Sequence, residues 1–494
     1  MAGNDTTTWV DDLKAFIEIA LDYAAQAALN SLTQPKAPKA DSGQVPLKQA
    51  VPPCTILVGG FSRVAGALSY WKATDRYHGA VYLLNDGRVE FDADPCYVND
   101  DRVTLEGDPF NTALFTNDGW VTGVINTAGA ANDGRYDDQK IRVNLRRGQG
   151  TETAYQHMVE FFGPSASYDV HDYTASFRGD GTASAMAFHQ APTDTAFFRQ
   201  AFPSGRPTES FVCKGVFYDW RDVTQDRDDE STWQPSSNPV VNLVHLEWFR
   251  WGRSWDRCIA PVLSDLTAEA DYCDEMVSLD AGGTEDRYRV AGWYYSDTQR
   301  SDIRQKILDA MDGFYTKDGR GRLIIKAGRY AEPTFVITAD YIEGFSWSRG
   351  QDPASAINEL SITFTSPAND YTEQNCDPWI VGDGGKVDNL DLAWVPSFTQ
   401  ARRLAKRRMA RLNPVRRGQI RTGPYGLNGL GERFIRVQNP RRPSMADVVC
   451  EVTNAEFDPM TGQFVFDVIQ ADPNIDAWDP ATEEGAPVPV PARP

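Results

Sequence analysis

Histidine is scarce in this chain, paired cysteine motifs are missing, and no long apolar run occurs. The five histidines, His78, His157, His171, His189 and His245, stand far apart. His157, His171 and His189 could converge within a β region, but they read as ordinary core or surface residues. H-E-x-x-H, the phosphate-binding G-x-x-x-x-G-K-[ST] loop and the G-x-S-x-G elbow do not occur, which argues against zinc and nucleotide enzymes. The seven cysteines, at 54, 96, 213, 258, 273, 376 and 450, never form a C-x-x-C pair, so zinc ribbons and redox motifs are not expected. An odd, scattered set fits reduced, mostly buried thiols made in a cytoplasm. No run of about 18 apolar residues is present, so no transmembrane helix is expected. The acidic N-terminus lacks the basic start of a signal peptide. No catalytic residue, cofactor site or metal site is expected. Carboxylate pairs suited to glycoside hydrolysis cannot be recognised among 69 acidic residues.

A chain of 494 residues is too long for one small core. Abundant aromatics, 39 glycines, 30 prolines and short alternating runs favour strands over helices. The expected fold is mainly β with some α: several small β-barrel or sandwich domains plus short helices.

The central stretch, 271–367, reads as strand, helix, hairpin and two further strands. Ile303, Ile307, Leu308, Met311 and Phe314 recur at helical spacing. Ser296, Asp297 or Ser301 would cap that helix and Gly313 would stop it. Asp318-Gly319 marks a hairpin between Phe314-Tyr315 and Leu323–Ile325. Nothing in this stretch forms a catalytic constellation; it has the character of a packing and assembly module.

Taken in order, 1–33 is an N-terminal helix, either docked on the body or reaching a neighbouring subunit. A Pro-rich linker fills 34–53. Residues 54–235 read as a β-rich domain with insertions, opened by Thr55–Val58. They include a hairpin at Asn85-Asp86-Gly87 and strands at His157–Phe162 and Thr174–Phe177, among others. The acidic loop Asp226–Glu230 lacks the glycine and spacing of a calcium loop. Residues 236–370 form an α+β domain that begins with a helix from Val240 to Gly252. A loop covers 371–396, a basic helix and small β domain cover 397–478, and a disordered tail covers 479–494.

Charge is very uneven. The net charge is −20, yet between Thr399 and Arg442 there are 13 lysines and arginines against Glu432 alone. Arg402, Arg403, Lys406, Arg407, Arg408 and Arg411 surround Leu404, Met409 and Leu412 on one helix. Such a block in an acidic chain suggests pairing with an acidic neighbour, in preference to DNA. On this reading, reversing Arg403, Arg407 and Arg411 blocks assembly and spares folding.

Several segments resemble the tail-tip hub proteins of long-tailed bacteriophages and gene transfer agents, the group that includes the central tail fibre protein of lambda-like phages. They are Asn238-Pro239 with its aromatic helix and Asp271–Asp274; Gly283–Glu285 with Arg287–Val290; Phe364–Pro367 with Tyr371; Thr399–Leu412; Asp458, Thr461 and Gly462; and Asp472–Trp478. They span about 238–478. The resemblance implies a non-enzymatic homotrimeric hub at the distal end of a virion tail, made in the bacterial host cytoplasm. Its implied partners are a distal tail protein, the tape-measure protein, fibre proteins and the viral double-stranded DNA that passes through its lumen. The alternatives are a virion-associated polysaccharide or peptidoglycan hydrolase and an all-β receptor-binding adhesin.

Overall fold

The computed structural model describes residues 53–73, 77–114, 116–125, 131–133, 136, 140–164, 173–190, 207–350 and 356–490. The N-terminal helix, nearly all of the 34–53 linker and His171 lie outside the described residues. The fold is mainly β, with several sheets and a few short helices.

Two sheets share the first core. One is four-stranded, in the order Ala67–Ala73, Tyr77–Asp86, Thr182–Gln190, Ile141–Arg147. The other is six-stranded, in the order Ser62–Val64, Glu209–Gly215, Val89–Val98, Asp101–Leu105, Val121–Ile125, Ala131–Asp133. Alternate residues of both, including Tyr82, Leu84, Val103, Val143 and Phe211, meet between the sheets. The outer face of the four-stranded sheet is covered by the helix Gln156–Phe162, whose His157, Met158 and Phe162 are buried.

This corrects three sequence expectations. His157–Phe162 is helical because its apolar residues sit on one helical face against Phe188, and a short apolar run does not distinguish the two periods. Thr174–Phe177 is a turn. Asn85-Asp86-Gly87 does not close a hairpin: Tyr77–Asp86 and Val89–Val98 belong to different sheets, and Gly87 (φ 118°) carries the chain across the corner. The turn residues are held by distant elements. Asn85 Oδ1 accepts from Leu57 N at 2.9 Å, and Asp86 Oδ2 accepts from Arg250 at 2.5 Å.

The second core gathers the helices around three small sheets. Asn238 caps the helix Pro239–His245, with its side chain accepting from Val240 N and Val241 N, and the proline occupies a position that needs no N–H. Asn238 Nδ2 also donates to Ala270 O at 2.8 Å, which docks this helix on Leu263–Cys273. Strand Thr55–Gly59 pairs antiparallel with Ala291–Tyr295, so the central stretch is stitched to residues far before it. The helix Arg300–Met311 starts after Gln299, without a side-chain cap, and ends at Asp312 in the left-handed conformation (φ 49°) just before Gly313. The hairpin Phe314–Lys317 with Leu323–Lys326 forms as expected. The stretch expected to be a loop at 371–396 contains two strands, Thr372–Ile380 and Val387–Leu392, which flank Glu359–Ser366. Their outward residues are polar and their loops glycine-rich, which obscures the alternation in the sequence.

The third core lies on a six-stranded sheet in the order Val336–Thr338, Phe434–Gln438, Val448–Asp458, Gln463–Gln470, Arg416–Thr422, Ile342–Arg349. Ile342–Arg349 was not expected as a strand, because exposed residues occur on both of its faces. Part of the segment expected to be a disordered tail is ordered: Pro480–Glu483 is a short helix and Glu484 is buried.

The junction of the first two cores is backbone against backbone. Gly59 (φ 73°) donates to Asn242 Oδ1 at 2.7 Å and Gly60 N to Val290 O at 2.8 Å. A Cβ on Gly59 would stand 1.8 Å from Val290 O. Gly59→Ala is expected to cost about 3 kcal/mol of stability, from the clash and the left-handed backbone together. Gly60→Ala, whose Cβ would meet nothing nearer than 3.5 Å, is expected to stay within about 1 kcal/mol. Thermal melts of the two variants check this.

Candidate functional site: an ionic lattice around the arginine helix

Helix Phe398–Leu412 carries the charge that the sequence singles out. Ser397 caps it by accepting from Gln400 N, and Asn413-Pro414 ends it. Ala401, Leu404, Ala405 and Met409 are buried with Leu360, Ile362 and Phe364 of the three-stranded sheet. The cations flank this stripe, and most of them point into the protein.

Arg402 donates to Asp377 O at 3.0 Å and Pro378 O at 2.6 Å, and to Glu483 O at 2.9 Å. Arg403 is 6% exposed and meets Glu285 Oε1 at 2.8 Å and Arg287 O at 2.8 Å. Glu285 also accepts from Ser397 Oγ and Thr399 Oγ1. Lys406 bonds Glu483 Oε1 at 2.5 Å and Ala477 O at 2.5 Å. Arg407 donates to Asp312 Oδ2 at 2.6 Å and pairs with Asp476. Arg411 pairs with Asp312 and with Glu451 Oε1 at 2.9 Å. Arg433, from the third sheet, meets Asp312 at 3.1 Å and Glu451 at 3.0 Å. Arg408 alone among the six is exposed.

The acidic partners expected in a neighbouring subunit are thus supplied, for four of the six cations, by the same chain, and Arg402 is taken up by backbone carbonyls. The expectation that reversing Arg403, Arg407 and Arg411 spares folding falls with this. Each of the three is paired in the interior or at its margin, where reversal would set like charges together. Asp312 is the centre of the lattice. It accepts from three guanidiniums that come from two elements, and Glu451 accepts from two of the same three. Burial works against its ionisation, but Arg411, Arg407 and Arg433 outweigh burial and hold Asp312 far below the usual carboxylate range. Glu451 is lowered in the same way, against its own burial, by Arg411 and Arg433.

Two smaller knots repeat the device. Glu247 lies between Arg253 at 2.8 Å and Arg304 at 2.7 Å. Glu269 accepts from Arg329 at 2.8 Å, Lys326 at 3.2 Å and Ala327 N at 3.0 Å. Sequence reasoning missed Asp312, Glu451, Glu285, Asp476 and Arg433 as members of the lattice. Apart from the Asp312-Gly313 helix stop, nothing local distinguishes these residues from the many other charged ones.

The histidines do not assemble a reactive set among the described residues. Burial and Arg142 pull His157 down to about 3, and burial pulls His245 down to about 3, so both are neutral. His245 sits among Phe217, Trp233 and Phe249. His78 stacks on His189, which pairs with Glu209 at 2.6 Å. All seven cysteines are free thiols. Among the described residues no group of three or more His, Cys, Asp or Glu is arranged to hold a metal ion. No described helix is long and apolar enough to cross a membrane. A cavity of about 450 Å³ opens beside Tyr218, Asp226, Arg227, Asp228 and Trp255, where Arg227 is already engaged by Asp228 at 3.0 Å.

The lattice predicts a definite response to mutation and pH. Asp312→Asn leaves three buried or half-buried cations short of their anion and is expected to cost about 3–5 kcal/mol. Arg408→Glu, on the exposed face, is expected to change stability by less than about 0.5 kcal/mol. Asp312 and Glu451 ionise more readily folded than unfolded. Their contribution is therefore present above the unfolded carboxylate range and lost as pH falls, from about pH 5 downward. Melting temperatures across that range should fall steeply in the wild type and less steeply in Asp312→Asn.

The chain is similar over nearly its whole length to a chain of the virion of a native gene transfer agent particle. The identity is 12%, the match covers 97% of this chain and 98% of that one, and the TM-score is 0.54. Weaker matches are a tail protein from Neisseria meningitidis MC58 (9% identity, covering 85% of this chain and 98% of that one, TM-score 0.26) and a 43 kDa tail protein of prophage MuSo2 from Shewanella oneidensis (9% identity, 86% and 94%, TM-score 0.24). No family model and no curated protein matches the sequence. Across almost all of its length, this chain shares its fold with a component of a gene transfer agent virion.

Proposed function

We propose that this chain is a structural tail protein: the hub at the distal tip of a phage or phage-like tail. In this reading it forms a homotrimeric ring that caps the tail tube. It joins the distal tail protein, the tape-measure protein and the fibres, and the viral double-stranded DNA passes through it on ejection. The observation that carries the reading is the shared fold with the gene transfer agent virion chain over 97% of the sequence. Segments at 238–478 that resemble tail-tip hubs support it independently. The construction is consistent with a load-bearing part. Three cores are joined by a central stretch that contributes strands to sheets far apart in sequence, and by ion pairs that cross between them. The acidic balance of the chain suits a wall past which DNA slides without adhering.

Removal of the gene from the producing host tests this. Electron microscopy of the resulting particles should show tail tubes without a finished tip, and DNA delivery to recipient cells should fall to background. Complete tails with normal delivery would overturn the proposal. The purified chain should release no products from cell-wall or capsule glycan. Turnover of either would favour the hydrolase reading, and direct binding of the lone chain to cells would favour an adhesin.

A further inference from the structure

The basic block between Thr399 and Arg442 divides into two parts. Arg403, Arg407 and Arg411 of the helix are neutralised inside the chain, as is Arg433. In the last sheet Arg436 pairs with Glu332 and Asp447, whereas among the described residues Arg416 and Arg417 have no such partner. Arg349 stands directly opposite Arg416 across a pair of antiparallel strands, and Arg417 follows opposite Ser348. Like charges facing one another across strands repel. Among the described residues no carboxylate forms an ion pair with Arg349, Arg416 or Arg417. Arg442 extends the patch, with its guanidinium 5.7 Å from the Phe345 ring centre.

This cluster lies on a free margin. Among the described residues Ile342–Arg349 is the last strand of its sheet and is bonded on one side only. Phe345, Ser346, Ser348 and Arg349 are exposed, so both faces of the strand are open. An edge of eight residues leaves a row of N–H and C=O groups available to another strand.

Glu343, near the other end of the same strand, accepts from Gln463 Nε2 at 2.7 Å, so the positive charge lies at the Arg349 end only. Among the described residues a second free margin is acidic. Val387–Leu392 carries Asp388 and Asp391, has no basic residue, and ends the three-stranded sheet. Val387, Asn389 and Asp391 are exposed. The other margin of that sheet, Thr372–Ile380, is occupied: Arg402 takes the carbonyls of Asp377 and Pro378, and Ala486 N donates to Asp377 at 2.8 Å.

We propose that copies of this chain associate head to tail, the edge strand Ile342–Arg349 of one copy, basic at its Arg349 end where Arg416 and Arg417 stand beside it, adding to the acidic strand Val387–Leu392 of the next. The proposal rests on the structural tail reading and names the surfaces that reading needs. Main-chain hydrogen bonds between the edges supply affinity, and the opposed charges select the partner edge and its register. Because the two edges differ, each copy keeps one of each to offer, and the contact propagates into a closed ring where the rotation permits. Duplex DNA would answer the arginines but not the open row of backbone groups, and a polypeptide edge answers both.

Sedimentation of the full chain tests this. The wild type is expected to associate, and roughly tenfold more weakly when salt rises from about 0.05 M to about 0.5 M. Arg349→Glu with Arg417→Glu, and separately Asp388→Lys with Asp391→Lys, should each abolish association while the melting curve is unchanged. An equal mixture of the two variants should associate again, because each restores the opposite charge for the other. Variants that associate like the wild type, or a mixture that stays monomeric, overturn the proposal. So does a wild type that remains monomeric yet retains a short DNA duplex. The particle experiment separates this from the tail reading: loss of the tip without the gene, together with a failed charge swap, removes only the edge assignment.

Discussion

A single half-buried carboxylate, Asp312, fixes how the parts of this protein meet. It sits at the left-handed turn that ends helix Arg300–Met311, and its oxygens are shared by Arg407 and Arg411 of one helix and by Arg433, just before the distant strand Phe434–Gln438. Charged groups removed from water are stable only where geometry supplies the compensation that water gave. Glu451 and Asp476 complete that compensation. The arginine helix, the central stretch and the last sheet are therefore mutually oriented by one set of bonds. An apolar interface would tolerate sliding; an interface of directed ion pairs does not.

The same economy explains why the basic block has two characters. Its helical part neutralises the interior of one chain. In its sheet part Arg436 is paired, but Arg416 and Arg417, beside Arg349 of the neighbouring strand, stay uncompensated at an open edge. The net charge of the chain hides this division, because internal neutrality and external charge are properties of positions, not of composition. The likeness of fold to a gene transfer agent virion chain, at 12% identity, shows that one arrangement of elements is compatible with very different sequences.

Much of the local structure was legible. The helix at 300–311, the hairpin around Asp318-Gly319, the capped helix after Asn238 and the strands after 416 follow from periodicity, caps and turn residues. The failures share one cause. At Asn85-Asp86-Gly87 a strong hairpin signal yields to a sheet-to-sheet corner, because Leu57 and Arg250 bind the turn residues from afar. At His157–Phe162 a short apolar run takes the helical period because the outer face of a sheet lies beneath it. At 372–392 strands form from polar, glycine-rich sequence because Glu359–Ser366 provides a template between them.

The sequence by itself determined the mainly β character and the place where positive charge accumulates. These depend on residue type and near-neighbour spacing, which the chain states directly. Tertiary structure alone decided which cations are neutralised, that Asp312 and Glu451 do it, and which edges remain open. An ion pair between residues 99 apart in sequence, such as Arg411 with Asp312, carries no local signal. Its partners are chosen only when the folded backbone brings them within a few ångströms and excludes the water that would otherwise solvate each alone.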